Sequence, residues 1–91
     1  MMEEAIRIVS EYTGVSVDDI MSVKRERNIS EARQIFIFLS CGVYGKTQTS
    51  IAHFLNRSPQ GISEQLKVFV KHLEAYKGLD KRVKEIKDAI V

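Results

Sequence analysis

The spacing of the apolar residues constrains the fold of this chain more than any other feature of its 91 residues. These residues recur three and four positions apart, as in Ile62, Leu66, Phe69 and Leu73, a spacing that places side chains on one face of a helix. No run alternates polar and apolar residues for long enough to be a strand, and "IFIFL" lies inside a helical pattern of about fifteen residues. The sequence therefore predicts an all-α fold, a compact helical domain of five to six helices.

Residues that favour helix termini predict where these helices begin and end. The predicted caps or first residues are Ser16, Ser30, Thr47, Pro59 and Asp80. The predicted ends are Gly14, Ser22, Gly45 and about Tyr76. Between the second and third helices, "VKRERN" is predicted to be a polar, basic loop.

Length and composition exclude several classes of protein. Ninety-one residues form one domain, and no apolar stretch approaches the ~20 residues of a membrane span. The acidic start "MMEEAIRIVS" differs from a basic signal-peptide n-region, so we expect a cytoplasmic protein. Cys41 is the single cysteine, and His53 and His72 have no flanking ligands, so neither a metal site nor a cofactor is expected.

Charge is distributed unevenly along the chain, although the net charge is only +2. Residues 1–20 contain one basic and five acidic side chains, whereas the remaining residues contain 13 basic and 7 acidic ones. A basic segment next to an acidic one suggests that one face contacts a polyanion, although such a run is also typical of a solvated surface.

The segment "QTSIAHFLNRSPQGISEQLK" has the pattern of a helix-turn-helix. Ile51 and Leu55 are expected to face inward, Ala52 is small where two helices cross, and Asn56 tolerates the left-handed turn conformation. Any tight pair of helices needs similar residues, so a purely structural interpretation remains open here.

A DNA-reading helix places its N-terminal residues in the major groove. Gln60 has the groups to pair with adenine, Ser63 to bond a base edge or a phosphate, and Glu64 to accept from cytosine. The predicted DNA-binding residues of this region are Lys46, Thr47, Arg57, Ser58, Gln60, Gly61, Ser63, Glu64 and Lys67. Those of the basic loop and the helix after it are Lys24, Arg25, Arg27 and Arg33.

The stretch "VSEYTGVSVDDIMSVKRERNISEARQIFIFL" resembles the C-terminal DNA-binding domain of the bacterial chromosomal replication initiator DnaA. The residues that carry this resemblance are Tyr12, Val15, Asp19, Ile20, Ser22, Lys24, Arg25, Arg27, Arg33, Gln34 and Leu39. The resemblance implies a Trp-repressor-like helical fold that binds double-stranded DNA. It also implies that Arg25 enters the minor groove and that Lys24, Arg27 and Arg33 contact the backbone.

The chain departs from this family where bases are read. The family has Gly-Gly-Arg-Asp-His-Thr-Thr-Val, and the same frame here contains Leu55, Asn56, Arg57, Ser58, Pro59, Gln60, Gly61 and Ile62. The arginine is kept and the base-reading residues differ. The resemblance therefore implies DNA binding in replication initiation or transcription control, in a nucleoid-associated bacterial protein, without the initiator's own target sequence and without enzymatic activity.

Residues 1–78 are expected to form the helix-turn-helix domain, and residues 79–91 an additional C-terminal helix. The segment "IFIFLSCGV" is either a fully buried central helix or one that exposes Phe38 or Cys41 at a protein interface. The apolar third helix and the C-terminal helix are therefore possible homodimer contacts. The alternative function is a protein-interaction module or dimeric regulator that retains the helix-turn-helix shape.

Overall fold

The computed structural model describes residues 2–90, which form six helices and no strand. The helices are α1 Met2–Thr13, α2 Val17–Met21, α3 Arg27–Gly42, α4 Gln48–Leu55, α5 Pro59–Ala75 and α6 Leu79–Ile90. The predicted all-α fold of five to six helices is confirmed. Met1 and Val91, at the outer ends of the predicted segments 1–78 and 79–91, lie outside the described residues.

Helix α3 forms the centre of the domain and packs against α1, α2, α4 and α5. Every residue from 32 to 37 is buried, so this helix has no solvated face over nearly two turns. The ring centroids of Phe36 and Phe54 of α4 lie 5.7 Å apart, and those of Phe38 and Phe69 of α5 lie 5.2 Å apart. The apolar character of "IFIFLSCGV" therefore reflects burial within the chain.

Three predicted helix termini have the geometry that their residues favour. Gly14 follows α1 with φ of +76°, a left-handed conformation that costs glycine little. The Ser16 hydroxyl accepts a hydrogen bond from the Asp19 N–H at 3.1 Å, and Thr47 Oγ1 accepts from the Ser50 N–H at 3.1 Å. These short-range contacts determine where α1 ends and where α2 and α4 begin.

Three other predicted termini were wrong. Helix α3 begins three residues before Ser30, at Arg27, and Glu26 precedes it without a side-chain capping bond. The same helix ends at Gly42 and not at Gly45. Asp80 lies inside the first turn of α6, which begins at the buried Leu79. In each case the helix boundary differs from the position that the strongest capping or terminating residue indicates.

The two helices expected as possible homodimer contacts use their apolar residues inside the chain. On α6, Leu79, Val83 and Ile86 are buried and belong to the core cluster. On α3, Phe38 is partly buried against the same core. Neither helix presents an apolar stripe for a second copy in the described range, so the structure does not support a homodimer through them.

Among residues 2–90, no helix is both long and apolar enough to cross a membrane. The same range contains no group of three or more His, Cys, Asp or Glu side chains arranged to hold a metal ion.

Cys41 is expected to react with iodoacetamide several-fold more slowly in the folded protein than in the urea-unfolded chain. The side chain is partly buried against the core, and this burial raises the pKa of its thiol, which leaves less of the nucleophilic thiolate at neutral pH. Mass spectrometry of timed samples measures both rates. Equal rates would contradict the packing of Cys41 against the core.

Candidate nucleic-acid interface

The turn between α4 and α5 is built by two backbone hydrogen bonds at the end of α4. Asn56 adopts the left-handed conformation, with φ of 56° and ψ of 50°. Its N–H donates to the His53 carbonyl at 3.2 Å, and the Arg57 N–H donates to the Ala52 carbonyl at 2.8 Å. This Schellman arrangement satisfies carbonyls that would otherwise be unpaired and turns the chain sharply toward α5.

The N-terminus of α5 is capped by the residue that precedes it, Ser58. Ser58 has an extended backbone, and its hydroxyl accepts from the Gly61 N–H at 3.1 Å. Pro59 occupies the first turn, where its missing N–H costs nothing. A Cβ on Gly61 would lie 3.2 Å from the Ser58 hydroxyl oxygen. Glycine at this position therefore avoids a tight contact with the capping hydroxyl, although Asp19 and Ser50 hold the equivalent positions of α2 and α4 with a side chain.

Helix α4 and the start of α5 are fixed together by small and branched side chains. Ile51, Ala52, Leu55 and Ile62 are all at most 2% exposed. Their burial joins the two helices of the unit and directs the opposite side of α5 toward solvent. The predicted helix-turn-helix core is therefore present.

The exposed side of α5 brings together several of the predicted DNA-binding residues. Gln60, Glu64 and Lys67 are exposed and follow one another at helical spacing on a single face. Ser63 is partly buried, and it lines a shallow depression beside Lys67. We call this set, with Ser58, the reading face.

Gln48 and Lys71 also border the reading face but were not predicted. Gln48 starts α4 and lines the depression beside Ser63 and Lys67, and Lys71 lies one turn beyond Lys67. The four-residue spacing of the two lysines was visible in the sequence and is the signal that identifies Lys71. Gln48 had no comparable signal, because its position depends on how α4 and α5 cross.

The predicted basic loop "VKRERN" is shorter than expected, because Arg27 and Asn28 belong to α3. The basic loop as observed, residues 22–26, starts from a small hydrogen-bond network at the end of α2. The Ser22 hydroxyl donates to the Asp19 carbonyl at 2.6 Å and accepts from the Lys24 N–H at 3.2 Å. The Lys24 ammonium contacts the Asp19 carboxylate at 3.0 Å, and this contact raises the pKa of Lys24. Lys24 and Arg25 are both exposed. The network fixes the start of the loop and leaves these two cations at the surface.

Arg33 lies in the core, and its guanidinium bonds carbonyls of the chain instead of projecting into solvent for the DNA-backbone contact that the resemblance implies. The residue is 2% exposed. Its Nε donates to the Ile20 carbonyl at 2.7 Å, and Nη2 donates to the Asp19 carbonyl at 3.1 Å. The guanidinium thus caps the carbonyl end of α2 and holds that helix on α3. Burial, followed by the nearby positive charge of Arg57, lowers the pKa of Arg33.

Arg57 is also turned inward, although only in part. Its Nη2 donates to the Ser22 carbonyl, while its Nε is buried without a hydrogen-bond partner among the described residues. This contact joins the turn of the helix-turn-helix to the first residue of the basic loop. Arg57 therefore connects two parts of the candidate interface, and its guanidinium is engaged with the chain instead of being free for a phosphate.

Arg27 is directed toward the far end of α5. The centre of its guanidinium lies 5.6 Å from the centroid of the Tyr76 ring, which follows the last residue of α5. The 17 residues of α5 span about 25 Å, so Arg27 is separated from Gln60, at the start of the reading face, by most of the length of that helix. The structure therefore does not group Arg27 with Gln60 and Glu64.

Lys46 and Thr47 lie just before α4. Lys46 is partly buried, and its N–H donates to the Ser40 carbonyl at 3.0 Å. Thr47 is exposed, and its hydroxyl bonds both the N–H and the side chain of Ser50. Thr47 is thus the N-cap of α4, and it is exposed at the surface at the same time.

Val23 is an exposed apolar residue that the sequence reasoning did not select. It is 79% exposed, more than any other large apolar side chain described, and it directly precedes Lys24 and Arg25. An apolar side chain next to the cations of a basic loop is unusual, and this feature of the sequence could have identified Val23. Its position adds apolar surface next to the loop cations.

Sequence comparison relates the chain to known proteins. A sequence model of the family described as bacterial dnaA protein helix-turn-helix matches residues 2–67. The chromosomal replication initiator protein DnaA of Campylobacter concisus (strain 13826) is 31% identical over 91 residues, which are 99% of this chain and 21% of that protein. The protein of the same name from Campylobacter curvus (strain 525.92) is 29% identical, with the same coverage. The chain thus spans about a fifth of the length of these relatives.

Proposed function

We propose that this chain, which belongs to the family of bacterial DnaA helix-turn-helix domains, binds double-stranded DNA in a sequence-specific manner. The observation that carries this proposal is the reading face, where Gln60, Glu64 and Lys67 project from the start of a capped helix into solvent. A helix-turn-helix places such residues against base edges in the major groove. Gln60 pairs with adenine, and Glu64 accepts from cytosine N4. Ser63 contacts a base edge or a phosphate.

The basic loop supplies the second part of the proposed contact. Arg25 is exposed and enters the minor groove, while the exposed Lys24 exchanges its ion pair with Asp19 for a phosphate. Arg57 and Arg33 were expected to contact phosphates, and we propose a positioning role for them instead. Both donate hydrogen bonds to backbone carbonyls of residues 19–22. They position the loop relative to the reading face, so that both grooves are contacted in a fixed register.

The biological setting is proposed from the family. The relatives are replication initiator proteins, and we place this chain in replication initiation or in the control of transcription, as a nucleoid-associated protein of the bacterial cytoplasm. Residues 1–78 form the helix-turn-helix domain in this proposal, and α6, Leu79–Ile90, is an additional helix. Other activities of the full-length initiators lie outside the proposal, as does any enzymatic role.

Replacing Lys24 by alanine is expected to weaken binding to all duplex sequences alike and to flatten its salt dependence. Loss of one phosphate contact lowers the slope of log Kd against log salt concentration by about 0.9. Fluorescence anisotropy with a labelled mixed-sequence duplex, titrated at several salt concentrations, measures that slope. Lys84→Ala is the matched control, because Lys84 is an exposed lysine on α6, away from the basic loop. Equal slopes for the two variants would remove Lys24 from the interface.

The protein-interaction alternative has less support. Its support in the sequence is the net charge of only +2 and the acidic Glu64 on the reading face. The apolar surface that it would use, from Phe38 or the last helix, packs within the chain. An apolar interface would also be insensitive to salt, whereas phosphate contacts are strongly sensitive. If the wild-type chain does not bind duplex DNA even at low salt, the DNA-binding proposal fails.

A further inference from the structure

A polar cleft lies where the start of α3 meets the corner between α5 and α6. It has a volume of about 320 Å³, and its polar lining consists of the side chains of Arg27, Glu31, Tyr76, Lys77 and Arg82. Two adjoining cavities of about 90 and 210 Å³ share Arg27 and Glu31 with it. We call the main cavity the corner cleft. Its lining is mostly charged or polar and differs in this respect from the packed core.

The charges of the corner cleft do not cancel. Arg27, Lys77 and Arg82 are the basic residues of its lining, and Glu31 is the one acidic residue. Arg82 Nη1 contacts Glu31 Oε1 at 2.9 Å, so this pair is neutral. Arg27 and Lys77 then remain as two positive charges beside an open cavity. An anion is the ligand that this lining favours.

The side chains of the corner cleft suit a phosphate group in particular. Tyr76 is 49% exposed and holds the Arg27 guanidinium over its ring, which restricts the motion of that guanidinium. A planar guanidinium with several N–H donors matches the oxygen atoms of a phosphate, and a lysine adds a point charge. The bond between Glu31 and Arg82 offsets the repulsion that this carboxylate would exert on a phosphate.

The corner cleft continues the basic loop. Arg27 follows Arg25 by two residues, a backbone distance of at most about 7 Å. The cleft therefore lies within reach of a DNA strand that contacts Arg25. We infer that the corner cleft binds the phosphodiester backbone of duplex DNA outside the base pairs contacted by the reading face, an inference that rests on the proposed function.

This contact is a property of the C-terminal part of the chain. Tyr76, Lys77 and Arg82 all lie beyond residues 2–67, the range matched by the family model. The corner between α5 and α6 thus adds a backbone contact to the helix-turn-helix. Helix α6, whose apolar side packs on the core, presents Arg82 on its other side, where it pairs with Glu31 and leaves Arg27 and Lys77 for the phosphate.

A pair of double variants tests the inference. Arg27→Gln with Lys77→Ala removes the two cations of the cleft that have no acidic partner in its lining, and both side chains are exposed, so the fold is retained. Lys84→Ala with Lys87→Ala removes the same charge from exposed positions further along α6. Binding of a labelled mixed-sequence duplex is measured by anisotropy over a range of salt concentrations. The cleft variant is expected to lower the slope of log Kd against log salt by about 1.8, at about 0.9 per lost phosphate contact. The control variant should retain a slope close to that of the wild type.

The outcomes separate this inference from the proposed function. If the wild type binds the duplex and both double variants have the same slope, the corner cleft is not a backbone contact and the inference fails alone. If the wild type does not bind duplex DNA, the proposed function fails as well. Nuclear magnetic resonance spectra add an independent readout, because the N–H signals of Gly78 and Arg82 should shift on addition of the duplex. A shift with inorganic phosphate alone and none with the duplex would assign the cleft to free phosphate and overturn the inference.

Discussion

Replacing Arg33 by methionine is expected to lower the free energy of unfolding by about 3 kcal/mol, because two carbonyls of α2, one buried and one partly buried, lose their charged donor. The side chain is 2% exposed, and it bonds the carbonyls of Asp19 and Ile20. Methionine retains most of the packed volume and offers no N–H, so the loss reports mainly on these hydrogen bonds. Urea unfolding followed by circular dichroism measures the change.

Arg82→Met is the matched control for this experiment. Arg82 bonds Glu31 at the surface, and its side chain is 43% exposed. A surface ion pair of this kind contributes less than about 1 kcal/mol. If the Arg33 variant were destabilised no more than the Arg82 variant, Arg33 would not hold α2 on α3 as described.

Gln60→Ala is expected to weaken binding to a specific duplex by about 1–3 kcal/mol and to relax the base preference at one position. Gln60 is exposed in the first turn of α5, where an amide can donate to and accept from one adenine. Binding to a mixed-sequence duplex should change much less, because phosphate contacts supply most of the affinity there. Anisotropy titrations with the two duplexes measure both effects.

Glu74→Ala controls for a general effect of substitution on α5. Glu74 is exposed near the other end of the helix, beyond the reading face. It should leave the affinity for both duplexes unchanged. An equal loss on the two duplexes for Gln60→Ala would show that Gln60 does not read a base.

The helix-turn-helix could be predicted from the sequence because short-range signals determine it. Asn56 takes the left-handed turn, Ser58 caps α5 and Thr47 caps α4, each through contacts within a few residues. The buried set of Ile51, Ala52 and Ile62 also follows from helical spacing alone. These features need no knowledge of distant parts of the chain.

The start of α3 could not be predicted in the same way. Ser30 is a better capping residue than Glu26, yet the helix starts at Arg27 and has no side-chain cap. The early start places Ile29 in the core, where it is 6% exposed. Burial of an apolar residue outweighed the capping preference here, and this balance depends on the packing of other helices.

The orientation of Arg33 and Arg57 toward the interior of the chain could not be predicted from the sequence. In sequence, Arg33 and Arg57 look like two further cations near a basic loop. Their partners are the backbone carbonyls of Asp19, Ile20 and Ser22. A carbonyl has no sequence signature, since every residue carries one, so only the packing of α2 on α3 distinguishes these arginines from phosphate contacts.

Selection from a random duplex library with the wild-type chain tests the central claim most directly, because it reports both DNA binding and the sequence that is read. The reading face predicts that successive rounds converge on one short motif that contains an adenine opposite Gln60, and that Gln60→Ala loses the preference for that adenine. Convergence on no motif, with retained pools indistinguishable from the input library, would contradict sequence-specific recognition by this helix-turn-helix.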